Sequence, residues 1–369
     1  MKRQHTFRKE KEHFSYMNRN VKQLLYEGTV IPAHPLALKR DRQLNESQQR
    51  ALTRYYIDSG AGGIAVGVHT TQFEIRNTNV NLYERVLELA AEEINKAQLT
   101  NPFIKVAGIC GPTDQAQEEA RTAKKLGYHL GLLSPGGLNN WSEAELLERV
   151  KAVSNIIPVF GFYLQHAVGG RTFSYDFWEK FAEIPNVMAI KIAPFNRYQT
   201  IDVARAVCHS SRRKEIALYT GNDDNIVSDL LTTFHFQING EVVEKQISGG
   251  LLGHWAVWTK KAVELFDEVQ KAKVNGHIST DLLQRGMEVT DCNAAFFDAA
   301  NGFKGSIAGI NEILRRQGLL EGNWCLNPDE VLSPGQVEEI TRVYREYPHL
   351  NDDEFVQKNL CQWLETQVS

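Results

Sequence analysis

Apolar and polar positions along the chain follow two rhythms, and the switching between them predicts a repeating strand–helix order. From about residue 28, short apolar runs bounded by turn residues read as strands at Thr29–Pro32, Gly63–Val68, Phe103–Gly108, Tyr128–Leu133, Pro158–Tyr163, Val187–Ile192, Ala217–Thr220 and Gln246–Leu251. Between them, apolar residues recur at helical spacing over Glu46–Asp58, Leu82–Lys96, Asp114–Leu126 and Ser142–Asn155. Thr113 and Trp141-Ser142 supply N-caps for the last two, with acidic residues in the first turn. Eight such alternations predict a parallel α/β architecture, and eight is the number that closes a TIM (β/α)8 barrel. An open doubly wound sheet is the rival. It would place a glycine-rich loop after an early strand, whereas Gly60-Ala-Gly-Gly63 precedes one.

The Asn239-Gly240 dipeptide, flanked by alternating runs within residues 234–248, predicts a β-hairpin before the eighth strand. Beyond about residue 275 the pattern turns helical, near 280–290, 304–317, 335–346 and 353–367. The chain is thus divided into an N-terminal arm (1–27), a barrel (28–275) and additional C-terminal helices (276–369) packed on the barrel. Net charge is −4, which gives no global field for nucleic acid or an anionic membrane. No apolar run approaches the roughly 18 residues needed to span a bilayer. The basic residues Lys2, Arg3, Arg8, Lys9 and Lys11 are followed by no apolar run, so they read as a solvated or subunit-contacting arm, not a secretory signal. Five scattered cysteines form no CxxC pair, which argues against a zinc ribbon or disulfide framework and for a reducing, cytoplasmic setting.

Lys191 carries the strongest chemical signal. It sits in Val187–Ile192, a short apolar run closely flanked by Pro185 and Pro194. A buried ammonium loses hydration and must find a partner or lose its proton more readily. A lysine so depressed is an amine nucleophile for carbonyl substrates. The plainer reading is a structural lysine paired with a carboxylate. In a TIM barrel the reacting side chains project from the C-terminal strand ends. That rule selects His69, Thr70 and Thr71, then Ser134, then Tyr163, Gln165 and His166. Lys191 joins them in strand six, followed by Gly221, Asn222, Asp223 and Asp224, and by Ser248, Gly249 and Gly250 in strand eight.

These segments resemble the dihydrodipicolinate synthase and N-acetylneuraminate lyase superfamily of class I, Schiff-base aldolases. Gly63–Thr71 is similar to the family's strand ending in Gly-Thr-Thr-Gly-Glu, and Ile157–Tyr163 to the strand ending in Tyr-Asn. Ile184–Lys191 is similar to the strand bearing the lysine, and Tyr219–Asp224 to the Gly-Asp-Asp turn. Tyr163 and Lys191 stand 28 residues apart, the family's separation. The resemblance implies a lyase acting without a cofactor on pyruvate or another 2-keto acid, and a homotetramer built as a dimer of dimers. It implies that Lys191 forms the imine and that Tyr163 shuttles protons. Thr70 and Thr71, with Ser248, Gly249 and Gly250, would bind substrate, and His69, Gln165, His166 and Arg171 are further candidates.

The departures from the family are local. Gln72-Phe73-Glu74 replaces the Gly-Glu after the threonines, and the loop Ser134–Trp141 holds no tyrosine. Val168 stands where dihydrodipicolinate synthases carry an arginine, the nearest being Arg171. Ile192 follows the lysine in place of an acidic residue. The expectation is therefore an aldolase or lyase other than dihydrodipicolinate synthase itself. Two rivals remain: a divalent-metal site built from His69 and His166 with Asp223 or Glu74, and a non-catalytic binding or regulatory barrel.

Overall fold

The computed structural model describes residues 17–365; the basic residues of the first eleven positions lie outside it. Along the chain run α1 (Arg19–Glu27), β1 (Val30–Pro32), α2 (Glu46–Asp58), β2 (Gly63–Val66), α3 (Tyr83–Lys96), β3 (Ile104–Ile109), α4 (Thr113–Lys125) and β4 (Leu130–Leu133). Then follow α5 (Glu143–Ser154), β5 (Val159–Tyr163), α6 (Tyr175–Glu183), β6 (Val187–Ile192), α7 (Arg197–His209), β7 (Ala217–Thr220) and α8 (Ile226–Leu231). The hairpin strands β8 (Thr233–Ile238) and β9 (Glu241–Leu252) and the helix α9 (Thr259–Asn275) complete the alternation. Four more helices follow: α10 (Thr280–Phe296), α11 (Ser306–Arg316), α12 (Gln336–Glu346) and α13 (Asp353–Leu364).

Eight parallel strands run in the order β1-β9-β7-β6-β5-β4-β3-β2, and an Ala33–Ala65 bridge joins the two ends into a barrel. The predicted hairpin is present, and its returning strand β9 is itself the eighth barrel strand, with β8 pairing only to it. Parallel strands are covered on both faces, which is why β2, β3, β4 and β6 are buried at every position and read as continuous apolar runs. Inward residues such as Ile31, Val106, Leu132, Phe160 and Tyr219 fill the barrel, while Val66, Ile109, Tyr163 and Ile190 pack outward against the helices. Capping is explicit where the sequence suggests it. Ser142 and Glu145 form a reciprocal capping box at the start of α5, and Asn45 caps α2. Thr113 is the first residue of α4 and Pro112 its N-cap.

Both chain ends bear on the barrel. The described part of the predicted arm is α1, which plugs the N-terminal mouth: Met17, Val21 and Leu25 belong to the interior core, and the Tyr219 hydroxyl donates to Leu25 O at 3.0 Å. Gly28 allows the chain to turn there. Its φ is +93°, and a Cβ would stand 1.8 Å from Ser248 O. At the other end, α13 packs on α2. Trp363 Nε1 donates to Asp58 at 2.6 Å, and Tyr55 donates to buried Asp352 at 2.7 Å. Leu25 is fully buried under the barrel, so Leu25→Ala is expected to cost about 2–5 kcal/mol of stability. Urea unfolding followed by circular dichroism checks it, and a loss below about 1 kcal/mol would mean that α1 is not part of the barrel core.

Candidate active site

β6 carries Lys191 inward and toward the C-terminal mouth of the barrel, opposite Tyr219 in β7 and Phe162 in β5. Its Nζ lies 4.5 Å from the centre of the Phe162 ring, and the residue is only 8% exposed. Gly221, just past β7, leaves room for the lysine stem: a Cβ there would stand 2.4 Å from Lys191 Cε. Above the amine opens a small cavity in which Lys191 meets His69, Thr70, Gln165 and Asp223.

Asp223 is the charged partner of Lys191. Its carboxylate is buried and accepts the His254 amide at 2.9 Å. Burial pushes the Asp223 carboxyl up, against the opposing pull of the Lys191 charge and the His254 amide. Burial likewise pushes the Lys191 ammonium down, partly offset by the Asp223 charge. Both shifts run toward the uncharged forms, and because each charge acts on the other the two groups titrate together. His69 is held neutral as well, pushed down to about 4 by burial and by the Lys191 charge. The site can therefore present an uncharged amine beside a carboxyl able to give or take its proton.

The remaining predicted residues divide. Thr70 lines the cavity, but its hydroxyl donates to Ala33 O at 2.8 Å; Thr71 donates to His34 O at 2.6 Å and accepts the Gly67 amide. The hydroxyl protons of both threonines are thus spent on shaping the turn after β2. Tyr163 lies on the other side of the barrel wall. It is buried among Phe173 and Trp178, and its hydroxyl accepts only the Phe173 amide, at 3.4 Å. Phe162, one residue earlier, faces the lysine instead. The β5–β6 register shifts between Val159 and Phe160, and a one-residue shift exchanges the two faces of a strand. Ser248, Gly249 and Gly250 lie within β9, below the cavity: a Cβ on Gly249 would strike Thr29, and one on Gly250 the Trp255 ring. Gly253, just past the end of β9, reaches the cavity. Arg171 donates to Trp141 O, and exposed His166 pairs with Thr172 at 3.1 Å, so neither turns inward. Ser134 accepts the Gly136 amide at 3.1 Å.

Of the rival metal-site residues, His69 and Asp223 share the cavity while His166 is exposed. Among the described residues, no group of three or more His, Cys, Asp or Glu side chains is placed to hold a metal ion. A wider groove between α5 and α6 contains none of the predicted residues except as neighbours of its acidic rim, Glu143, Glu148 and Glu183. Sequence reasoning missed the far wall of the cavity. Phe195 enters from the loop after β6, and Phe297, Phe303 and Ser306 enter from the C-terminal helices.

Comparison with known proteins agrees with this geometry. The profile of the dihydrodipicolinate synthetase family matches residues 27–339. The chain belongs to that family. It is 24% identical over 317 residues to N-acetylneuraminate lyase 2 of Escherichia coli O6:H1, covering 85% of this chain and 92% of that protein. It is 28% identical over 216 residues to 4-hydroxy-tetrahydrodipicolinate synthase of Dechloromonas aromatica, covering 57% of this chain and 67% of that one. Among solved structures, dihydrodipicolinate synthase from Oceanobacillus iheyensis superposes with a TM-score of 0.70 at 15% identity, over 89% of this chain and 99% of that chain. The barrel fold is therefore the family's.

Since Tyr163 stands outside the cavity and makes one long hydrogen bond, Tyr163→Phe is expected to leave turnover within about threefold and stability within about 1 kcal/mol of wild type. Steady-state kinetics checks this; a loss of about 10² or more would return the tyrosine to the chemistry.

Proposed function

We propose that this chain is a class I aldolase or lyase that handles pyruvate, another 2-keto acid or its aldol adduct through an imine on Lys191. One observation carries the reading: a deeply buried lysine at the closed end of a cavity, whose charge is disfavoured by burial and whose partner is a buried carboxyl. A structural lysine would be expected to keep its proton in a short ion pair. Among the described residues, Lys191 has none within 4.0 Å.

The neutral amine attacks the C2 carbonyl, and the carbinolamine loses water to give an iminium. In the cleavage direction the C4 hydroxyl gives up its proton and the C3–C4 bond breaks. The electron pair flows to the iminium, leaving an aldehyde and an enamine. Protonation of the enamine at C3 and hydrolysis then return pyruvate and the free amine. Asp223 is the group suited to carry these protons, in the role that the family resemblance gives to Tyr163. The substrate carboxylate is assigned to the turn after β2 at the Thr70 amide, because both threonine hydroxyl protons are engaged and the Thr71 amide donates to Val68 O at 3.0 Å. No cofactor is invoked. The reaction is expected in the cytoplasm and in a homotetramer, and among the described residues no helix is long and apolar enough to cross a membrane.

Condensation of pyruvate with aspartate semialdehyde is expected to be poor, because the cavity lining holds no arginine for the second carboxylate. Incubation with pyruvate and borohydride is expected to leave one reduced adduct per chain, mapped by mass spectrometry to Lys191. No adduct across a panel of 2-keto acids, or one at another lysine, would refute the imine.

The pH dependence gives a second check. The Asp223 charge raises the Lys191 pKa, so Asp223→Asn lets burial act unopposed and lowers it further. More neutral amine is then present at a given acidic pH. The acid limb of imine trapping should move to lower pH, while turnover falls by about 10²–10⁴ for want of the proton carrier. Cyanoborohydride trapping across the acid limb reads the first effect, and a limb that moves upward contradicts the pairing.

A further inference from the structure

We propose that the part of the substrate beyond the bond made or broken is a flat, uncharged, apolar group, an aromatic aldehyde in the cleavage direction, clasped by Phe195 and Phe303. The proposal rests on the Lys191 imine and adds the substrate class of the same site.

The lining of the cavity is the first ground. Apart from the Lys191–Asp223 pair no charged side chain reaches it. Phe162, Phe195, Phe297 and Phe303 line it, with Leu164 and Val168 beside them. The polar groups that remain are few, and the Thr70 hydroxyl proton is already committed to Ala33 O. A polyhydroxylated chain or a second carboxylate would lose its hydration here and find too few partners. A flat apolar ring loses nothing comparable and gains contact with aromatic faces and edges.

The second ground is the way the two rings are held. Phe195 and Phe303 meet edge to face, with centroids 5.8 Å apart at 80°. Neither ring is packed into the two main cores, and both are half-buried at the cavity mouth. Both residues occupy the left-handed region, with φ of +54° and +68°, a conformation that aromatic side chains rarely adopt. Each is pinned from behind. The Phe195 amide donates to buried Asn222 at 3.0 Å, and Asn222 donates to Asp229 at 2.9 Å. The Phe303 amide donates to Asp298 O at 3.0 Å, and the Asp298 carboxylate accepts the Gly305 amide at 3.0 Å. Two disfavoured backbones, held from different elements to bring two unpacked rings together over a reactive amine, point to a ligand that the rings contact.

The test uses the full chain with pyruvate and two aldehydes, benzaldehyde and glyceraldehyde, read as aldol formation, beside borohydride trapping with pyruvate alone. The expected result is at least a tenfold preference in kcat/KM for benzaldehyde. Phe303→Asn, which tolerates left-handed backbone, should lower that preference tenfold or more, mainly through KM for the aldehyde, with the far-UV circular dichroism of the folded barrel retained. A pyruvate adduct at Lys191 without preference for benzaldehyde, or a preference untouched by Phe303→Asn, overturns the aromatic clasp and leaves the imine standing. Absence of the adduct overturns the imine and the clasp with it.

Discussion

The desolvation of one ammonium group organises the rest of the site. Lys191 lies in a parallel strand whose every position is buried, where an ammonium cannot keep its water. The structure meets that cost by supplying a single carboxyl, Asp223, that is itself disfavoured as an anion. Burial disfavours both charges, and each is held mainly by the presence of the other. A surface ion pair would fix both charges, and a fully apolar setting would leave a neutral amine with nothing to move its protons.

Much of the architecture was legible in the sequence, because parallel strands covered on both faces leave continuous apolar runs. β6, β7 and α2 match their sequence-derived bounds, and the Asn239-Gly240 turn announces the β8–β9 hairpin. α1 was read as part of an arm because its nine residues look like a solvated segment. Its partners, Tyr219 and the floor of the barrel, are remote in sequence and carry no local signal.

The candidate site was legible in part. Lys191, His69, Thr70 and Gln165 reach one cavity as the strand-end rule predicts. Tyr163 fits the family's spacing to Lys191, yet spacing along the chain does not fix a face: β5 alternates regularly, with Tyr163 on the outward face of Val159, while the extra residue at the register shift lies in β6 and turns Lys191 inward. Gly161 offered a clue: it faces outward, where a Cβ would stand 2.5 Å from Phe181, so Phe160 and Phe162 must face in. Ser248, Gly249 and Gly250 fail for a simpler reason, since β9 continues past them to Leu252. The wall from Phe297 and Phe303 follows the barrel in sequence, and nothing local to those residues shows that the chain folds back over the mouth.

The closure of the barrel has a bearing on when the amine comes to exist. β1 pairs with β9, Val30 beside Gly250, so strands from opposite ends of the barrel sequence must meet before the interior is sealed. Contacts so distant along a chain form late. Until they form, Lys191 is a hydrated ammonium with an ordinary lysine's affinity for its proton, inert toward carbonyl metabolites. The buried amine is therefore a product of topology: an open chain carries the residue in water, and the closed barrel takes it out.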